Sequence, residues 1–317
     1  MIRFRAALAA ASVLLLAAAC GGEDSSDASG GPATVKVSVI PIVDVAPIYL
    51  GEQQGFFDEQ GLKLELVSAQ GGAAIVPAVV SGQVDFGFSN YTSLMLAKSK
   101  GLPLKVVAPG AGSTGVKGKD FGGVLVKKDS PVKSAKDLTG KRVAVNTLNN
   151  INDTTVRASI RAAGGDAGNV KFTELAFPDM LAALDKGNVD AVQVVEPFLA
   201  TGLKDGARLV ASNYVDTAPK LTIAAYFTSQ KTVGEKPEVV KKFAAAMQKS
   251  LKYATDNPDA VRKVLGTYTK IDPALTGSLT LPTYPTEVDT ASLQTLAKLA
   301  QQDGLITTAP DVRELLP

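Results

Sequence analysis

From residue 35 onward, short apolar runs alternate with segments of helical pattern, and this alternation constrains the fold more than any other feature. The predicted strands are 35–40, 62–67, 84–88, 104–108, 123–127, 142–146, 170–175, 191–195 and 223–228. The predicted helices are 48–54, 73–81, 89–98, 154–163, 178–186, 237–256, 258–268 and 290–302. Alternating strands and helices form layers around a largely parallel sheet. The sequence therefore predicts an α/β fold.

A short pattern occurs twice in the chain. Residues 81–86 read SGQVDF, and residues 186–191 read KGNVDA. Each copy closes a helix, passes through Gly, a polar residue, Val and Asp, and enters a buried strand. Two such units in one chain favour two similar lobes, although helix-Gly-strand junctions also resemble one another by chance.

The N-terminal 20 residues have the pattern of an export signal. Arg3 and Arg5 precede an apolar stretch at 7–16, small residues follow at 17–19, and the single cysteine is Cys20. We interpret 1–19 as a signal peptide. Residues 16–20 (LAAAC) resemble a bacterial lipobox, which makes Cys20 a candidate for lipidation. The alternative is a plain signal with a coincidental cysteine.

Residues 21–33 (GGEDSSDASGGPA) lack apolar periodicity and read as a flexible tether. We therefore expect a tether over 20–33 and a folded body from residue 34. Two or more acyl chains hold a protein stably at a membrane surface. The predicted location is a cell membrane, with the protein lipid-anchored on its extracytoplasmic (periplasmic or extracellular) face.

Composition excludes several classes of site. The chain has no His and one Cys, so a His general base, a Ser-His-Asp triad and a cysteine zinc cluster are excluded. The 33 Lys and Arg residues nearly balance 31 Asp and Glu residues, which argues against a nucleic-acid partner. We expect no cofactor and no metal.

Three motifs carry a resemblance to a known family. They are residues 47–62 (PIYLGEQQGFFDEQGL), 137–145 (DLTGKRVAV), and 187–191 (GNVDA) followed by 196–198 (EPF). In this order and spacing, they resemble the nitrate/sulfonate/taurine-type substrate-binding proteins of ABC importers. That family shares its fold with thiamine-pyrimidine-precursor binders. The likeness runs from about residue 34 to 281.

The resemblance implies a type II periplasmic-binding-protein fold, with two α/β lobes joined by a two-strand hinge. Lobe 1 would comprise 34–122 and 229–317, and lobe 2 would comprise 123–228. The crossing strands would lie near 122–126 and 224–228, with a small ligand between the lobes. The implied partners are an ABC permease and its ATPase, and the expected state is a monomeric binding protein rather than an enzyme.

Ligands in α/β folds lie beyond the carboxyl ends of the strands, and the family places ligand contacts in the same loops. This rule gives the candidate ligand-binding residues Asp44, Val45, Gly71, Gly72, Ser89, Asn90, Asn149, Asn150, Asn152, Glu196 and Phe198.

Helix starts and amides are the candidate anion-binding groups. Gly71 and Gly72 present bare backbone N–H groups, which suit a carboxylate or sulfonate. Either Ser89 or Asn90 can cap a helix or contact ligand. The amide-rich stretch 149–153 suits a polar ligand. The alternatives are a simple turn at Gly71 and an ordinary capping loop at 149–153.

Two carboxylates indicate the ligand's charge. Glu196 ends a buried strand and Asp44 follows one, and a buried carboxylate is costly unless paired. A ligand amine is one partner, and a structural Arg or Lys within a lobe is the other. Because the candidate loops contain no Arg or Lys, a zwitterion such as an aminosulfonate, or an amino-substituted ring, fits better than an inorganic anion. Phe198 is either an aromatic wall or core.

The predicted function is therefore a binding protein that captures a small organic anion or zwitterion for import. One alternative is a binder of an amino-substituted pyrimidine. A carboxylate-based lyase or dehydratase using Asp44 or Glu196 is another. A ligand sensor that serves a membrane receptor would have the same sequence pattern.

Overall fold

A computed structural model describes residues 31–316. The strands are β1 (Ala33–Val39), β2 (Leu62–Ser68), β3 (Phe86–Asn90), β4 (Leu104–Pro109), β5 (Gly122–Val126), β6 (Arg142–Val145), β7 (Lys171–Glu174), β8 (Ala191–Val195), β9 (Arg208–Ala211) and β10 (Ala224–Ser229). The predicted signal peptide 1–19, Cys20 and most of the predicted tether lie outside the described residues.

The helices connect and cover these strands. They are α1 (Ala46–Gln53), α2 (Gly72–Val80), α3 (Tyr91–Ser99), α4 (Ile151–Ala162), α5 (Phe177–Asp185), α6 (Phe198–Lys204), α7 (Asn213–Thr217), α8 (Gln230–Glu235), α9 (Pro237–Asp256), α10 (Pro258–Tyr268) and α11 (Thr290–Gln302). Short 3-10 helices occupy Val43–Val45, Asp58–Gln60, Ala135–Leu138, Ala167–Asn169, Pro273–Ser278 and Val312–Leu315.

The strands form two sheets of the same topology. The first has the order β2-β1-β3-β10-β4 and the second β7-β6-β8-β5-β9. In each sheet the second-last strand, β10 or β5, is antiparallel to its neighbours, and the other described pairs are parallel. The prediction of an α/β fold with largely parallel sheets is confirmed.

The repeated sequence pattern occupies equivalent places in the two sheets. Asp85 precedes β3, and its Oδ2 accepts the backbone N–H of Lys36 in β1 at 3.0 Å. Asp190 precedes β8, and its Oδ2 accepts the backbone N–H of Arg142 in β6 at 2.9 Å. Gly82 and Gly187 both adopt a left-handed φ, +76° and +72°, that glycine tolerates best. The repeated motif therefore ties the third strand of each unit to the first.

The chain passes between the sheets twice, through residues 110–121 and 218–223. We call residues 33–109 and 224–316 the first-sheet region and residues 122–217 the second-sheet region. Strand β10, whose residues 224–228 were predicted for lobe 2, pairs with β3 and β4 of the first sheet. Ala33, predicted for the tether, is the first residue of β1 and pairs with Leu62.

The C-terminal helices return to the first-sheet region. Helix α9 packs against α1, and α11 packs against α3. Phe243 of α9 stacks on Phe86 of β3 with ring centroids 4.0 Å apart, inside a large buried apolar cluster. These contacts cover the first sheet with the C-terminal helices.

Helix α4 begins earlier than the sequence predicts. Its first residue is Ile151, whereas the predicted helix starts at residue 154. Asn150 is the N-cap, and a capping box joins it to Asp153. The amide-rich stretch is therefore the start of a helix and not a separate loop.

No helix within residues 31–316 is both long enough and apolar enough to cross a bilayer. The same residues contain no cluster of three or more His, Cys, Asp and Glu side chains that could hold a metal ion.

Candidate functional site

A small cavity of about 30 Å³ lies between the two sheets. Strand ends and helix starts of both regions line it. The lining residues are Ile40, Ile42, Asp44, Phe88, Asn90, Asn146, Ile151, Asn152, Phe177, Val195, Tyr214, Ile223 and Ala224. Three of them, Asp44, Asn90 and Asn152, were predicted from the strand-end rule. Asp44 is the only charged side chain in this lining.

Asp44 follows β1 and is 3% exposed. Its Oδ1 is buried and has no hydrogen-bond partner among the described residues. Burial raises the pKa of the Asp44 carboxyl from 3.8 to about 7; its own backbone hydrogen bond opposes this rise, and the charge of Asp120 adds to it. An unpaired buried carboxylate is costly, so this oxygen is well placed to receive a cationic or N–H group.

The turn that carries Asp44 is held from three sides. The hydroxyl of Tyr268 donates to the carbonyl of Ile42 at 3.0 Å, and that of Tyr284 donates to the carbonyl of Val43 at 2.9 Å. From the second-sheet region, the carbonyl of Glu196 accepts the N–H of Val43 at 3.2 Å. The position of Asp44 is therefore set by the backbone around it.

Asn90 both caps a helix and faces the cavity. Its Oδ1 accepts the N–H of Ser93 at 2.9 Å in the first turn of α3. The same oxygen accepts the N–H of Ile151 at 3.3 Å, at the start of α4 in the second-sheet region. Since Oδ1 is occupied twice, the Nδ2 group of Asn90 is the part left to donate to a ligand.

A chain of buried amides forms the opposite wall. Asn150 Nδ2 and Asn152 Nδ2 donate to Asn146 Oδ1 at 2.9 and 2.7 Å. The hydroxyl of Tyr214 donates to Asn152 Oδ1 at 2.8 Å. Asn146 and Asn152 line the cavity, whereas Asn150 lies behind them as the helix cap.

Of the two predicted glycines, Gly71 allows a close approach of the two regions, and Gly72 allows one within the first-sheet region. A Cβ on Gly71 would lie 2.7 Å from Thr147 Cγ2 and 3.1 Å from Asn146 Nδ2, both in the second-sheet region. A Cβ on Gly72 would lie 2.2 Å from Ser89 Oγ. Ser89 is fully buried, and its hydroxyl lacks a partner among the described residues. The N-terminus of α2 therefore has unengaged donor groups beside it.

Glu196 lies outside the cavity lining. Its Oε2 accepts the N–H of Ala200 at 2.9 Å, and its Oε1 accepts the N–H of Thr280 at 3.1 Å. Burial raises the pKa of its carboxyl from 4.5 to about 7, and these two hydrogen bonds oppose the rise. The partners of Glu196 within the chain are therefore backbone N–H groups and not the Arg or Lys that was the structural alternative, while its contact with a ligand stays a prediction.

The other predicted residues lie around the site. Phe198 lines a neighbouring cavity of about 190 Å³, which shares Ile40, Ile42 and Phe177 with the first. The ring of Phe198 stacks on that of Phe177, with ring centroids 5.8 Å apart. Val45 is buried in the core, and Asn149 is exposed. Neither lines the two cavities, and nor do Gly71, Gly72, Ser89 and Asn150.

A larger groove of about 480 Å³ lies between α5, α6 and the residues that follow β5, away from the carboxyl ends of the parallel strands. It contains none of the predicted site residues. None of its lining side chains has a buried polar atom without a partner. The smaller cavity between the sheets is therefore the better candidate, because it combines an unpaired carboxylate oxygen with oriented amides.

Tyr214 is the functional candidate that the sequence prediction missed. It lies on α7, a helix of five residues that carries too few turns for a readable period. Asn146 ends the predicted sixth strand, so the strand-end rule reaches it, although it was not among the chosen residues.

Comparison with known proteins identifies the family. A family model described as NMT1/THI5 like matches residues 42–261, more than half of the chain. This chain belongs to the NMT1/THI5-like family. The match includes most of the cavity lining, from Ile42 to Ala224.

Two curated relatives of this NMT1/THI5-like chain bind different solutes. The taurine-binding periplasmic protein of Escherichia coli (strain K12) is 28% identical over 206 residues, which are 64% of this chain and 61% of the relative. The formylaminopyrimidine-binding protein of Halalkalibacterium halodurans is 25% identical over 221 residues, 69% of this chain and 64% of the relative. The aligned region thus spans less than two thirds of the length of each.

The fold has a close match among solved structures. The alkanesulfonate-binding protein SsuA from Xanthomonas axonopodis pv. citri, bound to MOPS, superimposes with a TM-score of 0.75 at 18% identity. The match covers 90% of this chain and 99% of that one. The predicted periplasmic-binding-protein fold of this NMT1/THI5-like chain is confirmed.

Proposed function

We propose that this chain is an extracytoplasmic solute-binding protein of an ABC importer. It would capture a small, amine-bearing organic anion, such as taurine, between its two sheets and deliver it to a membrane permease and its ATPase as a monomer. The unpaired Oδ1 of Asp44, in a cavity lining that also contains the amides of Asn90, Asn146 and Asn152, is the observation that carries this proposal. The taurine-binding and sulfonate-binding relatives support it.

The two ends of such a solute match the two sides of the site. The amine would pair with Asp44, the single charge in the lining. The sulfonate or carboxylate would take the unengaged Nδ2 groups of Asn90 and Asn146, beside the hydroxyl of Ser89 and the N-terminus of α2. Lys and Arg are absent from the described lining, so an anion without an amine would leave Asp44 unpaired.

Entry of a solute requires the two sheet regions to separate. A cavity of about 30 Å³ has room for about two water molecules. Hinge bending about the two crossing segments, 110–121 and 218–223, would open it. Capture would then close the regions around the solute, and the permease would recognise the closed form.

Thermal unfolding of the purified chain with a ligand panel tests this proposal. The panel holds taurine, ethanesulfonate, nitrate, β-alanine and 4-aminopyrimidine. We expect taurine to stabilise the fold by about 2.7 kcal/mol at 100 times its Kd, a shift of several degrees. Asp44→Asn should abolish this shift. A shift with ethanesulfonate or nitrate equal to that with taurine would refute the role of the amine.

An aminopyrimidine is the second candidate ligand. Phe88, Phe177 and Tyr214 provide aromatic walls, and one curated relative binds a formylaminopyrimidine. An exocyclic amine would donate to Asp44, while ring nitrogens would accept from the amides. A thermal shift confined to 4-aminopyrimidine in the same panel would favour this ligand over taurine.

The proposed anchor is a lipid on Cys20, which tethers the folded body to the outer face of the membrane. Its support is the lipobox-like sequence that precedes Cys20. Cys20→Ser should move the protein from the membrane fraction to the soluble fraction of the source cells. Equal membrane retention of both forms would exclude a lipid on this residue.

A further inference from the structure

We infer that Asn150 and Tyr214 are positioning residues that turn the amide NH2 of Asn146 toward the cavity. The site would therefore select a ligand with a hydrogen-bond acceptor opposite its amine. This inference rests on the proposed function for its ligand, but the orientation itself follows from contacts of the chain alone.

The orientation starts from a backbone group whose polarity is fixed. The N–H of Asn152 can only donate, and it bonds to Asn150 Oδ1 at 2.8 Å. Asn150 must therefore present its Nδ2 on the other side, where it meets Asn146 Oδ1 at 2.9 Å and Thr147 Oγ1 at 2.6 Å. A side-chain amide is assigned by its network, and here one end of the network is a backbone donor.

Tyr214 is the second group that orients Asn146, and it acts through Asn152. Asn152 Nδ2 meets Asn146 Oδ1 at 2.7 Å, so Asn152 Oδ1 faces the hydroxyl of Tyr214 at 2.8 Å. Tyr214 then acts as the donor. Asn150 and Asn152 thus donate to the same oxygen of Asn146. The side chains of this network are all buried: Asn146, Asn150, Asn152 and Tyr214.

These contacts leave one group of Asn146 unengaged. Its Oδ1 accepts two N–H groups, while no described residue accepts from its Nδ2. That nitrogen would lie 3.1 Å from a Cβ on Gly71, across the gap between the sheet regions. Asn90 Nδ2 is a second unengaged donor in the same lining, in which Asp44 is the charged acceptor.

Asn150→Asp reverses the polarity of this network without removing the helix cap. Aspartate still accepts the N–H of residue 152 and is an equally good N-cap. It cannot donate to Asn146, so the amide of Asn146 should rotate and present its oxygen to the cavity. The amide of Asn152 can rotate as well, because the hydroxyl of Tyr214 can accept a hydrogen bond as well as donate one. Asn150→Ser keeps a neutral cap, and its hydroxyl can donate one hydrogen bond in place of the two that Asn150 Nδ2 makes.

Three probes with the same two-carbon spacer report the polarity of the site: taurine, ethanolamine and 1,2-diaminoethane. All carry an amine for Asp44, and they differ at the other end. We expect the wild type to prefer taurine over the diamine and Asn150→Asp to lower that ratio by about tenfold or more, the scale of a hydrogen bond to a charged group. Asn150→Ser should give an intermediate ratio.

Asn149→Asp is the control for added charge. Its side chain is exposed and lies one residue from the network, so it should shift all three affinities less and leave their order unchanged. An equal loss of the taurine-to-diamine ratio in Asn149→Asp and Asn150→Asp would overturn the positioning role, because charge alone would then explain it.

A nuclear Overhauser effect between the Asn146 NH2 and the Gly71 Hα tests the orientation without ligand. We expect it in the wild type and not in Asn150→Asp. Its absence in the wild type, or its persistence in Asn150→Asp, would refute the inferred orientation. If the wild type shows this signal yet binds none of the three probes, the orientation stands and the proposed ligand class fails.

Discussion

At the scale of single residues, the buried carboxyl of Asp44 makes the stability of the protein depend on pH. Its pKa is raised by burial from 3.8 to about 7, so the folded state holds the proton while the unfolded state has lost it. The contribution of Asp44 to the free energy of unfolding is therefore most favourable below pH 4 and falls as pH rises toward 7. The loss is on the order of 4 kcal/mol at pH 8.

Asp44→Asn should remove that loss. We expect the variant to unfold at a higher temperature than the wild type at pH 8 and at nearly the same temperature at pH 4, measured by calorimetry without ligand. Burial, with a smaller contribution from the charge of Asp44, raises the pKa of Tyr214, Tyr226, Tyr268 and Tyr284 well above 10, so these hydroxyls stay protonated at pH 4 and pH 8 in both proteins.

Asp259→Asn is the matched control, since that side chain is fully exposed, and it should change little at either pH. A lower melting temperature for Asp44→Asn at pH 8 would contradict the prediction and would mean that the carboxylate is stabilised where it lies. Glu196, whose pKa is also raised by burial to about 7, leaves part of the pH dependence in the variant.

The sequence predicts site residues where strand position decides and fails where side-chain direction decides. Asp44, Asn90 and Asn152 follow strand ends and do line the cavity. Glu196 follows a strand end too, but its carboxyl turns back to the N–H groups of Ala200 and Thr280. Thr280 is 84 residues from Glu196 in the sequence, so no local sequence pattern predicts that contact.

At the scale of elements, the repeated Gly-polar-Val-Asp pattern is the most informative part of the sequence. It predicts two similar units, and the matching strand orders of the two sheets agree with that interpretation. The physical reason is that the aspartate makes the same contact in both units. In each unit the aspartate engages the backbone N–H of the first strand as the third strand begins, which fixes how the two strands pair.

Four short elements are the part of the fold that the sequence analysis does not predict. Helices α6, α7 and α8 and strand β9 contain seven, five, six and four residues, too short for a clear hydrophobic period. All lie between residues 198 and 235. Long amphipathic helices behave differently: α9, α10 and α11 have the bounds that the sequence predicts.

At the scale of the whole molecule, contacts between the two sheet regions set how readily the site opens. Arg161 of α4 and Asp303, which follows α11, form an ion pair at 2.6 Å across these regions. Asp303 is almost fully buried there, with 3% of its side chain exposed. A buried pair is costly to break by removing one partner, because the other charge is left without compensation.

Asp303→Asn should therefore shift the protein toward an open form. A ligand that requires the closed form binds with an apparent Kd divided by the closed fraction, so a shift of this kind weakens binding without touching the site. We expect about a tenfold higher Kd for taurine, together with a larger radius of gyration in solution scattering without ligand.

Asp256→Asn removes an exposed ion pair within α9, to Lys252, and serves as the control that leaves the Kd unchanged. The decisive comparison is between affinity and stability. If Asp303→Asn lowered the melting temperature while the Kd and the radius of gyration stayed at the wild-type values, the ion pair would support the fold in both forms. A higher Kd with the radius increase places it instead among the contacts made on closure, together with the hydrogen bond from the Ile151 N–H to Asn90.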